Sequence, residues 1–252
     1  MSTTSRSHPW LVEHRVGRRT VLALTSRGND VADPLGTFNL ATHVADDEGA
    51  VRQRRAEAAT VLGIAPDHLL FLDQVHGNTV VQATDPWDSP PQADAAVTAT
   101  PGIHLAVLVA DCVPVLLADD EHGIAGVAHA GRRGVESGVV TACVAAMRDL
   151  GARQLHALIG PGICGSCYEV PGQVRADVTR QVPATFARTR AGTPSLDLPA
   201  GVRTQLADLG VAAQHIGTCT MEDPQWYSHR RQHGRAGRFA GIAGVLARDR
   251  RA

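Results

Sequence analysis

Three side chains in this sequence carry donor atoms suited to metal chemistry. They are His76 in Gln74-Val75-His76-Gly77, Cys112 in Ala110-Asp111-Cys112-Val113-Pro114, and His129 in Ala128-His129-Ala130-Gly131. Two imidazoles and one thiolate bind zinc and leave a fourth position open, the ligand count of a catalytic rather than a structural zinc site. Such a centre lowers the pKa of a bound water toward neutrality, and the hydroxide can attack an electrophilic carbon such as C6 of adenine. His76 and Cys112 are 36 residues apart and Cys112 and His129 are 17 apart. No local zinc-finger pattern is present, so the fold has to assemble the site. The same residues allow a metal-free chemistry, with Cys112 as nucleophile and a histidine as base. They also allow none, as one buried cysteine and two structural histidines.

Other segments carry weaker signals. His129-Ala130-Gly131-Arg132-Arg133-Gly134 lies where a strand should give way to a helix. Backbone N–H groups at such a helix start bind anions, and two arginines stand beside them, so a phosphate or carboxylate site is one reading and a solvated arginine pair the other. Ile163-Cys164-Gly165-Ser166-Cys167 contains a Cys-x-x-Cys. It suits a redox pair, half of a zinc site for which no second Cys-x-x-Cys exists, or cysteines that only shape a turn after Gly160-Pro161-Gly162. The stretch from Cys219-Thr220 through Trp226-Tyr227-Ser228-His229-Arg230-Arg231 to Gly234-Arg235 combines aromatics, a hydroxyl, histidine and arginines. Aromatic faces and arginine forks suit a flat polar ligand such as a purine nucleoside; a surface charge cluster is the alternative.

The elements that must position these residues follow from periodicity. Thr20 to Thr25 reads as a strand, and Asp46 and Asp47 cap a helix that runs to Leu62 and stops at Gly63. Leu69 to Asp73 and Thr79 to Ala83 read as strands around the His76-Gly77-Asn78 turn. Ile103 to Ala110, Val113 to Ala118 and Gly123 to His129 are apolar runs expected of buried strands. Val135, Val139, Val140, Cys143, Val144, Met147 and Leu150 recur at helical spacing, predicting one helix from near Gly134 to Gly151 with Cys143 on its packed face. Leu155 to Ile159 is a strand. Val174, Val178 and Val182 mark a helix broken near Pro183, and Val202, Leu206 and Leu209 a short helix ended by Gly210. Ala212 to Ile216 and Ile242 to Leu246 are the last strands. Helices and strands interleave, but several strands follow one another directly, which favours a mixed-sheet α+β domain over a βαβ repeat.

Composition narrows the chemistry further. The chain has 252 residues and a formal net charge of −1, so nothing in the overall balance points to nucleic acid or an anionic membrane. All 24 basic residues are arginines, which removes Schiff-base catalysis and a P-loop lysine and leaves bidentate arginine contacts for any anion. No apolar run approaches the roughly 18 residues of a membrane span. The polar Met1 to Pro9 stretch lacks the apolar core of a signal peptide. Five cysteines, an odd number without an export signal, predict free thiols and a cytoplasmic location. Residues 1–19 are expected to be a tail and lead-in, 20–246 a single catalytic domain, and 247–252 a second tail.

Taken together, Thr37-Phe38-Asn39-Leu40 with His43-Val44-Ala45-Asp46-Asp47, Gln74-Val75-His76-Gly77, Ala93-Asp94-Ala95, Ala110-Asp111-Cys112-Val113-Pro114-Val115, Ala128-His129-Ala130-Gly131 with Arg133-Gly134, Gly160-Pro161 through Cys167-Tyr168-Glu169-Val170, and Cys219-Thr220 through Tyr227-Ser228-His229-Arg230-Arg231 form an ordered set. In this set the chain resembles the peptidoglycan editing factor family, also known as laccase-domain or polyphenol oxidase proteins and as purine nucleoside phosphorylases. The resemblance spans about residues 20 to 246. It implies a mixed β-sheet sandwich with outer helices, usually monomeric and cytoplasmic. It implies Zn2+, or Cu2+, on His76, Cys112 and His129. It also implies phosphorolysis of adenosine, inosine and methylthioadenosine, with adenosine deaminase side activity. Arg133 and Arg230 fall on family arginines expected to hold phosphate or the ribosyl transition state, and Asn39 and Gln74 on polar positions expected to line the same cleft.

Two positions depart from the family pattern. Arg132 replaces a tryptophan, and Val202 stands where an asparagine is usual, which removes a stacking surface and an amide from the expected pocket. The expected enzyme therefore uses purine nucleosides and phosphate, with Cys112, His129, Arg133 and Asp111 at the reacting centre. Asp111 is expected to orient the neighbouring thiolate. The alternative is a cysteine hydrolase or amidase editing peptidoglycan precursors with Cys112 as nucleophile. Copper-dependent phenol oxidation is a weaker rival, because His76 and His129 supply too few imidazoles for several copper centres.

Overall fold

Apolar runs without polar alternation become strands covered on both faces. The computed structural model describes residues 5–30 and 32–247. In chain order its first part holds β1 (Ser5–His8), β2 (Leu11–Arg15), β3 (Thr20–Thr25), helix α1 (Glu48–Leu62), β4 (Leu69–Phe71), β5 (Val80–Gln82), β6 (Ala95–Thr98) and β7 (His104–Val109). Then come β8 (Val113–Asp119), β9 (Ile124–Ala130), α2 (Arg132–Ser137), α3 (Val139–Asp149) and β10 (His156–Ile159). The chain continues with α4 (Gly172–Gln181), β11 (Phe186–Arg188), β12 (Pro194–Leu196), α5 (Leu198–Asp208), β13 (Ala212–His215) and β14 (Phe239–Val245). Every residue of β7, β8, β9 and β14 is buried.

Two six-stranded sheets result, in the orders β1-β2-β3-β14-β7-β4 and β13-β10-β8-β9-β6-β5, with β11 and β12 as a separate hairpin. Both sheets are mixed, since β4 runs parallel to β7, β5 to β6, and β10 to β13, among otherwise antiparallel pairs. Side chains alternate across a strand. Leu105 and Val107 of β7 therefore point between the sheets, where they meet Leu116, Val127 and Leu158 of the second sheet. Ala106 and Leu108 point outward with Ile242 against Ala58 and Ala59 of α1. On the far side, Val115 and Leu117 pack against Val140, Val144 and Met147 of α3 and Leu206 of α5. The mixed sandwich with outer helices is thus the expected α+β architecture. No helix among the described residues is long and apolar enough to cross a membrane.

Three expectations are corrected. The N-terminal stretch expected as a tail and lead-in is a β-hairpin; β2 pairs with β3 from Leu11 opposite Thr25 to Arg15 opposite Val21. Its apolar run, Trp10 to Val12, is short and does not match its buried face, since Val12 is exposed while Leu11 and Glu13 are buried. The helix expected from Gly134 to Gly151 starts at Arg132 and breaks into α2 and α3 at Gly138, whose φ is 81°. A left-handed residue there stops one helix and starts the next while the apolar spacing continues through the break. Val202 is fully buried among the residues under α5, so that departure from the family pattern lies in the core and not in the cleft described below. The C-terminal tail beyond Ala247 and residues 1–4 lie outside the described residues.

Candidate metal centre

The three expected ligands come together, two of them from segments where the chain leaves one sheet for the other and the third from the end of a strand. His76 lies between β4 of the first sheet and β5 of the second, and Cys112 in the short crossing from β7 to β8. His129 is the penultimate residue of β9, with Gly131 forming the N-cap of α2. The crossings are sharp: His76 and Asp111 have φ of 61° and 86°. Left-handed backbone costs a non-glycine residue about 1–2 kcal/mol, so other groups must hold these turns.

Asp94 holds the first turn. Its fully buried carboxylate accepts from the backbone N–H groups of Val75 (3.2 Å), His76 (2.9 Å) and Gly77 (2.6 Å). The same carboxylate lies 2.8 Å from His129 Nδ1. Strand register explains the meeting, because Ala95 of β6 sits opposite Ala128 of β9 and the His129 N–H donates to the Asp94 carbonyl at 2.7 Å. The second turn is held through Asp111, whose carboxylate accepts from Thr220 Oγ1 (2.6 Å) and the Arg230 N–H (2.7 Å). Asp111 was expected to orient the thiolate. Its carboxylate is directed to Thr220 and Arg230, and the carboxylate bonded to a ligand is that of Asp94.

The donor atoms of His76, Cys112 and His129 lie within 4.8 Å of one another. Their imidazoles meet edge to face with centroids 4.7 Å apart. His129 is 3% exposed, Cys112 half-buried and His76 open to solvent, so the cluster faces outward on one side. With Nδ1 turned to Asp94, His129 has Nε2 for a metal, the carboxylate–histidine arrangement that fixes the ligating tautomer. Gly131 closes the inner side. A Cβ there would lie 3.0 Å from His76 Cδ2 and 3.1 Å from Cys112 Sγ. One thiolate and two imidazoles drawn this close fit a mononuclear metal with a remaining open position.

The protonation of the metal-free cluster agrees with that fit. Burial alone would push the Cys112 thiol up, but the positive charge and hydrogen bond of His129, with a hydrogen bond from His76, hold it at about 6. Burial would lower His129, and the Cys112 thiolate and Asp94 raise it to about 9. Each charged form thus favours the other, thiolate beside imidazolium, and a metal would bind by displacing that proton.

A cleft of about 580 Å³ opens over the cluster. Leu72, Leu108 and Val109 are among its apolar lining residues, and Arg132, Arg133, Arg230 and Arg238 line it as well. Both guanidinium nitrogens Nη1 and Nη2 of Arg230 donate to the Glu169 carbonyl at 3.1 Å, and its Cζ lies 5.4 Å over the Tyr168 ring. Burial, then the nearby thiolate, raise the Tyr168 phenol, which stays a hydrogen-bond donor at neutral pH. Burial, then Arg238 and Arg55, lower His43, which faces the cleft as neutral imidazole.

The other expected binding residues divide. Arg133 is exposed and lines the cleft. Gln74 lines it as well, but its amide is bonded in both directions to the Leu108 backbone (2.9 and 2.8 Å). Asn39 is not among the lining residues; its buried amide bonds Ala41, Asp46 and the Arg238 N–H. It thereby fixes Arg238, which does face the cleft. In the stretch from Cys219, Tyr227 is fully buried and its hydroxyl donates to the Leu35 carbonyl, while the Trp226 ring lies against Phe239. Those aromatic faces are turned to the core, and His229 and Arg230 are the residues of that stretch that reach the cleft.

Asp94 and Arg238 were missed as site residues. A lone carboxylate among Ala93, Ala95, Ala96 and Val97 is the signal that could have found Asp94, because a charge in an apolar run must be paired. Arg238 gives no comparable signal in its loop.

Comparison with known proteins agrees with this architecture. The family described as multi-copper polyphenol oxidoreductase laccase matches residues 21–246. Purine nucleoside phosphorylase ORF3 of Streptomyces griseus is 46% identical over 241 residues, 92% of this chain and 98% of the relative. Purine nucleoside phosphorylase SCO2081 of Streptomyces coelicolor is 48% identical over 219 residues, 85% of this chain and 90% of the relative. Among solved structures, the hypothetical protein YfiH of Bacillus licheniformis superimposes with a TM-score of 0.86 at 26% identity, covering 96% of this chain and 98% of that one. YlmD of Geobacillus stearothermophilus gives 0.84 at 27%, covering 97% and 98%.

Proposed function

This chain belongs to the multi-copper polyphenol oxidoreductase laccase family, and we propose that it is a zinc-dependent purine nucleoside phosphorylase acting on adenosine, inosine and methylthioadenosine. The observation that carries the reading is one thiolate and two imidazoles opening on a cleft with four arginines. Relatives named purine nucleoside phosphorylase support it. Phosphorolysis breaks the bond between the purine nitrogen and C1′ of the ribose and forms a bond from C1′ to a phosphate oxygen. The products are the free base and ribose 1-phosphate.

In this reading His76, Cys112 and His129 hold the zinc, and Asp94 orients His129. When bound, the ion supplies Lewis-acid activation of a water or phosphate oxygen. Arg133 and Arg230 receive the phosphate, since guanidinium forks match its oxygens in pairs. The phosphate they hold offsets the positive charge that develops on the ribose as the glycosidic bond breaks. The Tyr168 ring offers the nucleoside a flat surface in a cleft whose tryptophan position is Arg132. Adenosine deamination would use the same centre, with water adding at C6 and ammonia leaving.

The donor set also suits a mononuclear copper, so metal analysis should read both elements. The Cys112 thiol within 4.8 Å of two imidazole nitrogens supports a second reading, a cysteine hydrolase of peptidoglycan precursors. Chelation separates the two. A nucleophilic Cys112 stays active without metal and is labelled fastest by an alkylator, whereas the phosphorylase loses turnover. Adenosine and phosphate incubated with fully metallated protein should yield adenine and ribose 1-phosphate by chromatography. Failure to form either product overturns the proposal.

A further inference from the structure

The fold completes the Cys-x-x-Cys with donors that no spacing in the sequence announces. Cys164 and Cys167 flank a tight turn in which the N–H groups of Cys167 and Tyr168 both donate to the Cys164 carbonyl at 3.0 Å. Just before it, Gly162 forms a parallel bridge with Cys219, and the Thr220 N–H donates to the Gly162 carbonyl at 3.1 Å. The chain then turns on the Cys219 carbonyl, which accepts from Glu222 (3.1 Å) and Asp223 (2.9 Å). The turn brings the Glu222 carboxylate to the same place. Three sulfurs and a carboxylate oxygen, from Cys164, Cys167, Cys219 and Glu222, lie within 4.8 Å of one another.

We propose that Cys164, Cys167, Cys219 and Glu222 form a second zinc site, with a structural role, apart from the His76–Cys112–His129 centre. Zinc–sulfur bonds of about 2.3 Å in a tetrahedron place sulfurs roughly 3.8 Å apart, so a contraction of about 1 Å or less closes the set. All three cysteines are free. Three thiols cannot all pair with one another as disulfides, so a disulfide between two of them would leave the third unpaired. Two contacts already draw the donors together: Cys167 Sγ lies 3.3 Å from Glu222 Oε1, and the Cys164 N–H lies 3.3 Å from Cys219 Sγ. Three thiolates and a carboxylate around a divalent ion carry net negative charge. Arg190 stands beside them, with Nη1 3.9 Å from Cys167 Sγ and an ion pair to Glu222. Thiolate-rich tetrahedral sets select zinc over hard cations, and four protein donors leave no open position for a reactant.

The site would tie together two segments that brace the catalytic turn. The Ile163 N–H donates to the Asp111 carbonyl at 2.9 Å, and Thr220 Oγ1 to the Asp111 carboxylate at 2.6 Å. Asp111 immediately precedes Cys112. Tyr168, which faces the cleft, follows Cys167 directly.

The test is metal content of the full chain, loaded with zinc under reducing conditions and desalted. Wild type should hold about two zinc ions, His76→Ala and Cys112→Ala one, and Cys167→Ser one. After cobalt replaces zinc, Cys112→Ala should keep a sulfur-to-cobalt charge-transfer band, since its remaining ion sits on thiolates. Should Cys167→Ser fail to fold, wild type answers alone: Cys164, Cys167 and Cys219 should resist alkylation until a chelator is added. A Cys112→Ala protein without zinc and without the cobalt band overturns the site. So does a disulfide between any two of the three cysteines in cells alkylated at lysis.

Discussion

Asp94 joins a strained turn to His129, a proposed metal ligand, and its effect can be separated from that of the ligands. Asp94→Asn keeps the shape and part of the hydrogen bonding but loses the charge that holds His129 in its ligating tautomer. We expect metal affinity to fall about 10–100-fold, read by competition with a chromophoric chelator; unchanged affinity would show that Asp94 serves only the turn. Gly131→Ala should also weaken metal binding, because the added methyl lies 3.0–3.1 Å from atoms of His76 and Cys112. Arg133 tests the anion end of the cleft. A hydrogen bond to a charged group contributes about 1.5–3 kcal/mol. Arg133→Ala should therefore raise KM for phosphate about tenfold or more and leave the metal content intact. A variant that loses metal instead would place Arg133 in the wrong role.

At the scale of elements, the break at Gly138 deserves its own experiment. Its φ is 81° and the nearest atom to an added Cβ is Thr141 at 3.9 Å, so space is available and the backbone conformation alone resists substitution. Gly138→Ala should lower stability by about 1–2 kcal/mol in urea unfolding; a stabilised variant would mean that α2 and α3 form one helix. The apolar spacing from Val135 to Met147 announced the packed face but ran through this break, because side-chain periodicity does not report a single residue's φ. Continuous runs such as Val113 to Ala118 were legible as buried strands because both faces are covered. Asp47 and Gly63 were legible as helix ends because their chemistry is local. The hairpin of β1 and β2 was not, since its apolar residues make sense only against β3. The metal donors were readable by type, while Asp94 and the Cys219–Glu222 partners of the Cys-x-x-Cys depended on strand register and loop pairing.

The sandwich as a whole buries a carboxylate, Asp119, at the end of the interior strand β8, which gives it a defined acid response. Burial opposes ionisation of Asp119, yet the N–H groups of Arg153, Gln154 and His122, with the His122 ring, hold its pKa at about 2, below the ordinary 3.8. The unfolded chain therefore binds a proton more readily than the folded one. The stabilisation is complete above about pH 4 and is lost as pH falls toward 2, and it amounts to about 2 kcal/mol. Urea unfolding at pH 6 and near pH 3 should show the loss begin, and Asp119→Asn should flatten that part of the profile. The joint between the sheets is equally testable: Leu116→Ala should cost about 2–5 kcal/mol by opening a cavity. The proposed function rests on the same joint, since His76 and Cys112 lie where the chain crosses between the sheets and meet His129 at the end of β9. The most direct test is phosphate-dependent release of adenine and ribose 1-phosphate from adenosine, measured beside metal content in wild type and Cys112→Ala. Wild type should form the two products in equal amounts, and the variant should lose both one metal ion and the reaction. Turnover in Cys112→Ala at the wild-type rate, or none in fully metallated wild type, would contradict the account.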